Sequence, residues 1–417
     1  MAGRIAAIAA REILDSRGNP TVAVTVALDT GASGCSAVPA GASRGQHEAR
    51  ERRDGGKRFG GLGVRRAVAN VTDVIAPALR GLPAADQAML DSRMLTLDTS
   101  PGKAKLGANA MLGVSLAAAR AAANETKLPL YRYLRQSLFT DVTGWSLPTP
   151  MANILNGGAH AGWSIDFQEF MVLPQQRSAA EQVRCGAEIF HVLGRLLARR
   201  EQPVTVGDEG GYAPRLSGNE APLKLLALAV RASGYRLGRD VRFGLDPAAS
   251  EFYRGGVYRL RSERRSLHTD AMILRYRAWV KKYPIATIED GLSEDDWSGW
   301  QRLTAVLGKT VTLVGDDLFV TNTTRLQRGI DQGVANAILV KPNQVGTLTE
   351  TVAAMRLARS HGYQIAVSHR SGETTDTFIV DLAVAGQAEY LKAGSFSRGE
   401  RVAKWNRLMA IAEQVAD

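Results

Sequence analysis

One pattern recurs along the later part of the chain and constrains its fold most: a short apolar, β-branched run that stops at a charged residue. Val311-Thr-Leu-Val314 stops at Gly315 and two carboxylates, Asp316 and Asp317, and Ala337-Ile-Leu-Val340 stops at Lys341. The turn and helical pattern between them complete one strand-helix-strand unit, and in a parallel sheet its two strand ends lie side by side. The same grammar places Asp208-Glu209 after Val204-Thr-Val-Gly207, Asp246 after Val241–Leu245, and Glu289-Asp290 after Ile285–Ile288. It continues with His369-Arg370 after Ile365–Ser368 and Lys392 after Glu389-Tyr-Leu391. Units spaced by roughly 25 to 40 residues, with helical patterns between them, are what a barrel of alternating strands and helices requires, and such barrels carry their active sites at the C-terminal strand ends. A single carboxylate at a strand end is most often a turn or cap residue. A whole series of charged strand ends points to a site.

The chain before this repeat reads differently. Thr21–Leu28 alternates as a half-buried strand should, after a turn at Asp15-Ser-Arg-Gly-Asn-Pro20, and a second short strand is expected to run into Val38-Pro39. Ala40-Gly-Ala-Ser-Arg-Gly45 has the small residues of a loop that can bring backbone close to a ligand; a plain connector reads the same way. From Val64 to about Tyr133 the apolar spacing turns helical. Gly144, Pro148 and Pro150 mark a boundary, so an α+β domain over 1–138 and a barrel over 139–417 are expected.

Composition narrows the function. A chain of 417 residues, 45% hydrophobic, is long enough for about two domains. The net charge of +11 raises nucleic acid as a partner, but arginines scattered among acids from Arg184 to Arg265 form no basic block interleaved with aromatics. Small anionic substrates fit better. Cys35 and Cys185 form no metal-spaced or redox pair, which suits a reducing compartment. The first residues have too short an apolar run for a signal peptide, and the Ala-rich run from Ala108 to Ala123 is too short to span a bilayer. A cytoplasmic protein without a membrane partner is expected.

The rim residues suggest a chemistry. Asp246, Glu289 and Asp316 offer three hard oxygen ligands on neighbouring strands, a set that favours Mg2+. Lys341 beside a dication and out of bulk water would have its pKa lowered toward neutrality and could serve as a base. Glu169 and Glu209 could supply an acid from the opposite side. Ser368-His-Arg-Ser-Gly372 gathers a guanidinium, hydroxyls and backbone N–H groups suited to a phosphate, and Lys392 could neutralise a carboxylate. Each has a plainer reading as well. Asp316 and Lys341 could be a buried ion pair, Arg370 a surface one, and His160 a brace for the turn Asn156-Gly-Gly-Ala-His-Ala-Gly162. His47, His191, His268 and His361 have no motif around them and are expected to be structural or solvent-facing.

These residues carry a resemblance. Arg11-Glu-Ile-Leu-Asp-Ser-Arg-Gly-Asn-Pro20, Lys105-Leu-Gly-Ala-Asn-Ala110, Gln168-Glu-Phe-Met171, Gly207-Asp-Glu-Gly-Gly211, Ser293-Glu-Asp-Asp-Trp297, Gly315-Asp-Asp-Leu318, Lys341-Pro-Asn-Gln344 and Ser368-His-Arg-Ser-Gly-Glu373 resemble, in order, the motifs of the enolase (phosphopyruvate hydratase) family. The resemblance covers nearly the whole chain. It implies an α/β fold of enolase type: an N-terminal α+β capping domain followed by a modified (β/α)8, TIM-like barrel that begins with two strands and two helices. It implies Mg2+ held by Asp246, Glu289 and Asp316, with a second Mg2+ recruited by substrate and by Ser43. Lys341 would remove the C2 proton of 2-phosphoglycerate, and Glu209, assisted by Glu169, would help the C3 hydroxyl leave. Lys392 would hold the carboxylate and Arg370 with Ser371 the phosphate, within the stretch that includes Ser368 and His369. His160 would close on the substrate, and Asp317 would tune a lysine rather than bind metal. A small phosphorylated three-carbon acid is the implied substrate, and a homodimer or an octamer of dimers the implied assembly.

Two features depart from the family pattern. Its first loop normally reads Ser-Gly-Ala-Ser-Thr-Gly, whereas this chain has Arg44 in place of the threonine, and the region of Trp163 after His160 is also atypical. Arg44 could face solvent or meet an extra anionic group. Two alternatives therefore stand beside the enolase reaction. One is a specialised paralogue in phosphonate or phosphinate natural-product biosynthesis, for example one forming carboxyphosphoenolpyruvate; the other is a non-catalytic binding or scaffold protein on the same fold.

Overall fold

The computed structural model describes residues 3–41 and 45–415; Ser43 and Arg44, on which the expectations for the first loop rest, lie outside the described residues. The chain begins as an antiparallel meander of β1 (Ile5–Leu14), β2 (Pro20–Leu28) and β3 (Ser33–Ala37). Asp15 closes the turn between β1 and β2, its Oδ1 accepting from the backbone N–H groups of Arg17 at 2.8 Å and Asn19 at 2.9 Å. β1 is not marked by a clean alternation of its own; pairing from Ile5↔Leu28 to Leu14↔Pro20 defines it. β2 is buried along almost its whole length rather than half-buried, because it is the central strand and lies under the helix Ala108–Glu125. The small side chains of that helix permit a close approach. A Cβ at Gly34 would sit 2.3 Å from the backbone nitrogen of Ala121, so the contact requires glycine. Further helices at Gln87–Leu97 and Leu130–Leu138 complete this α+β part.

An irregular stretch leads into the barrel, which starts with β4 (Thr149–Asn156), β5 (Glu169–Pro174) and β6 (Val241–Asp246). An inserted three-stranded sheet follows: β7 (Tyr253–Arg254), β8 (Val257–Leu260) and β9 (Arg265–Leu267). The remaining barrel strands are β10 (Ile285–Glu289), β11 (Thr312–Gly315), β12 (Ala337–Val340), β13 (Gln364–Ser368) and β14 (Tyr390–Lys392). The barrel closes in the order β4-β5-β6-β10-β11-β12-β13-β14. All neighbours run parallel except β5, which is antiparallel to both β4 and β6. This reversal puts the first residue of β5, not its last, at the C-terminal rim, where Glu169 is in register with Asp246.

The barrel interior is apolar, filled by Met151, Met171, Leu173, Ala286, Val314, Ala337, Leu339 and Ala366. Charge is confined to the rim above this layer because the interior layer has no water to solvate it. One expected strand is absent: Val204–Gly207 is irregular, with Val204 and Val206 exposed and a single bridge between Val206 and Tyr212. The physical reason is that β4 already pairs with β5 on one side and β14 on the other, which leaves no open barrel position. The segment instead hangs from the end of β4, where Asn156 N donates to Tyr212 O at 2.8 Å and Tyr212 N to Ile154 O at 3.0 Å. Among the described residues, no helix is long and apolar enough to cross a membrane.

Candidate active site

A small, mostly polar cleft opens at the C-terminal rim. Its walls include His160, Glu169, Glu209, Asp246, Asp316, Lys341, Ser368, His369, Arg370, Ser371 and Lys392. Glu289 is not on the wall. It lies beneath, fully buried, and is reached through Lys392.

Two lysines divide the cleft. Lys392, at the end of β14, places its Nζ 2.7 Å from Glu289 Oε1, 3.0 Å from Asp246 Oδ2 and 3.1 Å from Glu169 Oε2. Burial presses its pKa down, but the carboxylates of Asp246, Glu169 and Glu289 outweigh this and hold it well above the usual lysine value. Lys341, following β12, donates to Asp316 Oδ2 alone. Its backbone N–H donates to Thr321 Oγ1 at 2.9 Å, and Thr321 Oγ1 donates to Gln344 Oε1 at 2.8 Å. Gln344 Nε2 in turn donates to Asp316 Oδ1 at 2.8 Å, so Lys341 and Asp316 are fixed by one short chain of bonds. Burial lowers the pKa of Lys341, yet the adjacent Asp316 carboxylate outweighs burial and raises it; the fall expected beside a dication belongs to a different state of this pair. The ammonium form is therefore favoured while that pair is intact.

Opposite the lysines, Glu209 enters on the irregular loop and not from a strand. Its Oε2 accepts from Asn153 Nδ2 at 3.0 Å and lies 3.4 Å from His369 Nε2. His160, on a short turn at Gly158–Ala161, directs Nδ1 to 3.8 Å from Oε1 of both Glu169 and Glu209. Burial and then the Glu209 charge push the Glu169 carboxyl well above the ordinary range, so the pair favours holding one proton, on Glu169. Burial also lowers the His369 pKa to about 3, which leaves that imidazole neutral. Arg370 is buried rather than a surface ion pair: its Nη1 and Nη2 donate to Glu48 Oε2 at 2.9 Å and Glu48 Oε1 at 3.2 Å, across from the N-terminal part. Ser368 Oγ donates to the carbonyl of His369 at 2.9 Å.

Carboxylate oxygens at Asp246, Glu289 and Asp316 suit a hard divalent cation, and Glu289 offers a further sign. Its Oε2 is buried without a hydrogen-bond partner among the described residues, and burial followed by the Asp246 charge pushes its carboxyl well up. The donor set and this unpartnered oxygen fit a cation, although a lysine now occupies one oxygen of each carboxylate: Lys392 on Glu289 and Asp246, and Lys341 on Asp316. A tighter acidic group joins Asp290, Asp316 and Asp317, with ligand oxygens within 4.8 Å of one another. In it, however, Asp290 is already engaged: its Oδ1 and Oδ2 accept the backbone N–H groups of Asp316 at 3.0 Å and Asp317 at 2.8 Å.

Several residues that stand within the strand-end series or the family-like motifs, Arg401 in Arg401-Val-Ala-Lys404 among them, brace this site, though the sequence assigns them no role. Asp290, at φ 39°, holds the Asp316-Asp317 backbone, and its strained conformation has no sequence signature. Arg401 is fully buried; it contacts His369 Nδ1 through Nη1 and donates to the carbonyls of Arg370 and Ser371, each at 2.6 Å. Gln344 and Glu48 stand within or near quoted motifs, yet only the fold joins them to Asp316 and Arg370.

Fold and cleft together define an α/β-barrel enzyme with a charged cleft at the C-terminal strand ends, capped by an α+β domain. Residues 5–134 match the family profile described as "Enolase, N-terminal domain" and residues 144–417 that described as "Enolase, C-terminal TIM barrel domain". The chain belongs to the enolase family and is a lyase of that family.

Proposed function

We propose that the chain catalyses the Mg2+-dependent, reversible dehydration of 2-phosphoglycerate to phosphoenolpyruvate. The observation that carries this reading is the placement of Lys341 and of the Glu169–Glu209 pair in the walls of one cleft. A base and a proton-holding acid pair there suit removal of a proton next to a carboxylate and departure of the neighbouring hydroxyl. Enolase-superfamily sites are a standing example of a Lys or His base working beside Mg2+.

In this reading Lys341 Nζ takes the C2 proton. It must first be freed from Asp316, so the carboxylate of Asp316 needs another partner in the working state. Asp246, Glu289 and Asp316 would hold Mg2+, with a second ion recruited with substrate and Ser43. Bound there, Mg2+ supplies Lewis-acid stabilisation, worth several kcal/mol, of charge building on the substrate carboxylate. The proton of the Glu169–Glu209 pair passes through Glu209 to the C3 hydroxyl, which leaves as water. Lys392 neutralises the carboxylate, and Arg370, Ser371 and the neighbouring Ser368-His369 segment hold the phosphate. His160 sits over the acid pair and excludes water on closing.

The same roles would serve a phosphonate or phosphinate analogue, so the deciding assay runs both. Phosphoenolpyruvate formation from 2-phosphoglycerate, dependent on Mg2+ and faster than turnover of phosphonate analogues, is the expected result. Turnover of the analogues alone would move the substrate to the specialised paralogue, and turnover of neither would favour a scaffold.

A further inference from the structure

Beside the cleft, and sharing Glu251 with it, lies a second hollow that the proposed reaction does not use. Three guanidinium groups line it, from Arg254 on β7, Arg259 on β8 and Arg261 just beyond β8, together with Trp163 and Asp166. Two carboxylates, Asp166 and Glu251, share the hollow with the three guanidiniums, which outnumber them by one, and the oxygens of Asp166 are held by the chain's own donors. Asp166 accepts the backbone N–H of Arg261 at 2.6 Å, Asn219 Nδ2 at 2.9 Å and the hydroxyl of Ser262. Arg254 donates through Nη1 to the carbonyls of Ser250 at 3.2 Å and Tyr253 at 2.6 Å, which anchors the side chain and leaves its other nitrogens available. Among the described residues, none of the three arginines is in an ion pair.

We propose that this hollow is a second anion site, which takes a phosphate group outside the reacting cleft. Planar guanidinium forks match phosphate oxygens in pairs, and the three on this small inserted sheet outnumber the two carboxylates beside them and have no ion-pair partner among the described residues. Trp163, 39% exposed, lines the same hollow. It also follows closely on the turn that carries His160, with its N–H donating to Gly158 O at 2.7 Å. A phosphate held here would therefore lie against the segment that closes over the acid pair. The group could belong to a free anion or to the far end of an elongated substrate; the recognition chemistry is the same. The site stands on the arginines whichever reaction the cleft performs.

The test is calorimetric titration of inorganic pyrophosphate into the whole protein and into the variant Arg254→Ser/Arg259→Ser/Arg261→Ser. The cleft, through Arg370, supplies one class of binding in both proteins, so the expected result is loss in the variant of a separate, salt-sensitive class. Retention of that class with Arg259→Lys alone, and thermal melting of each variant, separates loss of the site from loss of the fold. Inhibition by pyrophosphate that is competitive with substrate and weakened at least fivefold in the triple variant identifies the far end of an elongated substrate. Binding that leaves the substrate KM unchanged identifies a free anion. Identical isotherms for the folded triple variant and the parent overturn the proposal, whereas failure to turn over 2-phosphoglycerate would refute only the function assigned to the cleft.

Discussion

The two sides of the cleft hold their lysines in opposite ways. Lys392 is enclosed by three carboxylates from three different strands and is 2% exposed. Lys341 has one carboxylate partner, Asp316, and its side chain keeps 13% exposure to the cleft. A cation bonded to three buried carboxyl groups cannot lose its charge without stranding those that are ionised. One with a single partner can give up its proton once that partner is claimed elsewhere. The same residue type thus serves as a fixed charge on one side and is available as a base on the other.

Removing each lysine should expose this difference. Lys392→Ala takes the buried cation away from Asp246, Glu289 and Glu169, and a loss of about 3–5 kcal/mol in denaturant unfolding is expected. Lys341→Ala strands only Asp316, which keeps its bond from Gln344, so a loss of about 1–2 kcal/mol is expected. Equal losses would erase the contrast. Between these two in size, Mg2+ at about a hundredfold over its dissociation constant should stabilise the parent protein by about 2.7 kcal/mol, read as a rise in Tm that chelation reverses. Glu289→Gln should diminish that rise; an unchanged rise would place the ion elsewhere.

Smaller effects probe the support of Lys341. Thr321→Val keeps the β-branched shape at φ 56° but removes the hydroxyl that accepts from Lys341 N and donates to Gln344. A loss of about 1 kcal/mol, close to fivefold, is expected in kcat, with KM nearly unchanged. The smallest effect belongs to a pair remote from both lysines. The hydrogen-bonded Arg58 guanidinium holds the Glu12 carboxyl at about 2, against its ordinary 4.5. Stability from this pair is fully present above pH 4.5 and fades as pH falls toward 2, and Arg58 is too exposed for the loss to be large. Comparison of Glu12→Gln with the parent should therefore show a small gap at pH 6 that closes toward pH 2.

The rim that carries both lysines is legible in the sequence, whereas the contrast between them is not. Short apolar runs ending on Asp246, Glu289, Asp316, Lys341, His369 and Lys392 announce a barrel rim because a parallel strand repeats the same geometry each time. Glu209 breaks the rule. Its preceding run looks like a strand, yet the pairing of β4 on both edges excludes it from the barrel, and pairing partners are not written locally. Glu169 is at the rim only because β5 runs backwards, which its own residues do not encode. Which carboxylates surround which lysine, and therefore the raised pKa of Lys341, depends on side chains brought together from distant strands. Spacing alone could propose Lys341 as a base but not weigh Asp316 against burial.

The central claim is that Lys341 is the group that takes the proton. Exchange of the C2 hydrogen of 2-phosphoglycerate with deuterated solvent, in the presence of Mg2+, tests it without requiring full turnover. The parent protein should exchange that hydrogen, and folded Lys341→Ala should exchange it at least about a hundredfold more slowly. Exchange at the parent rate in a folded Lys341→Ala protein would contradict the account.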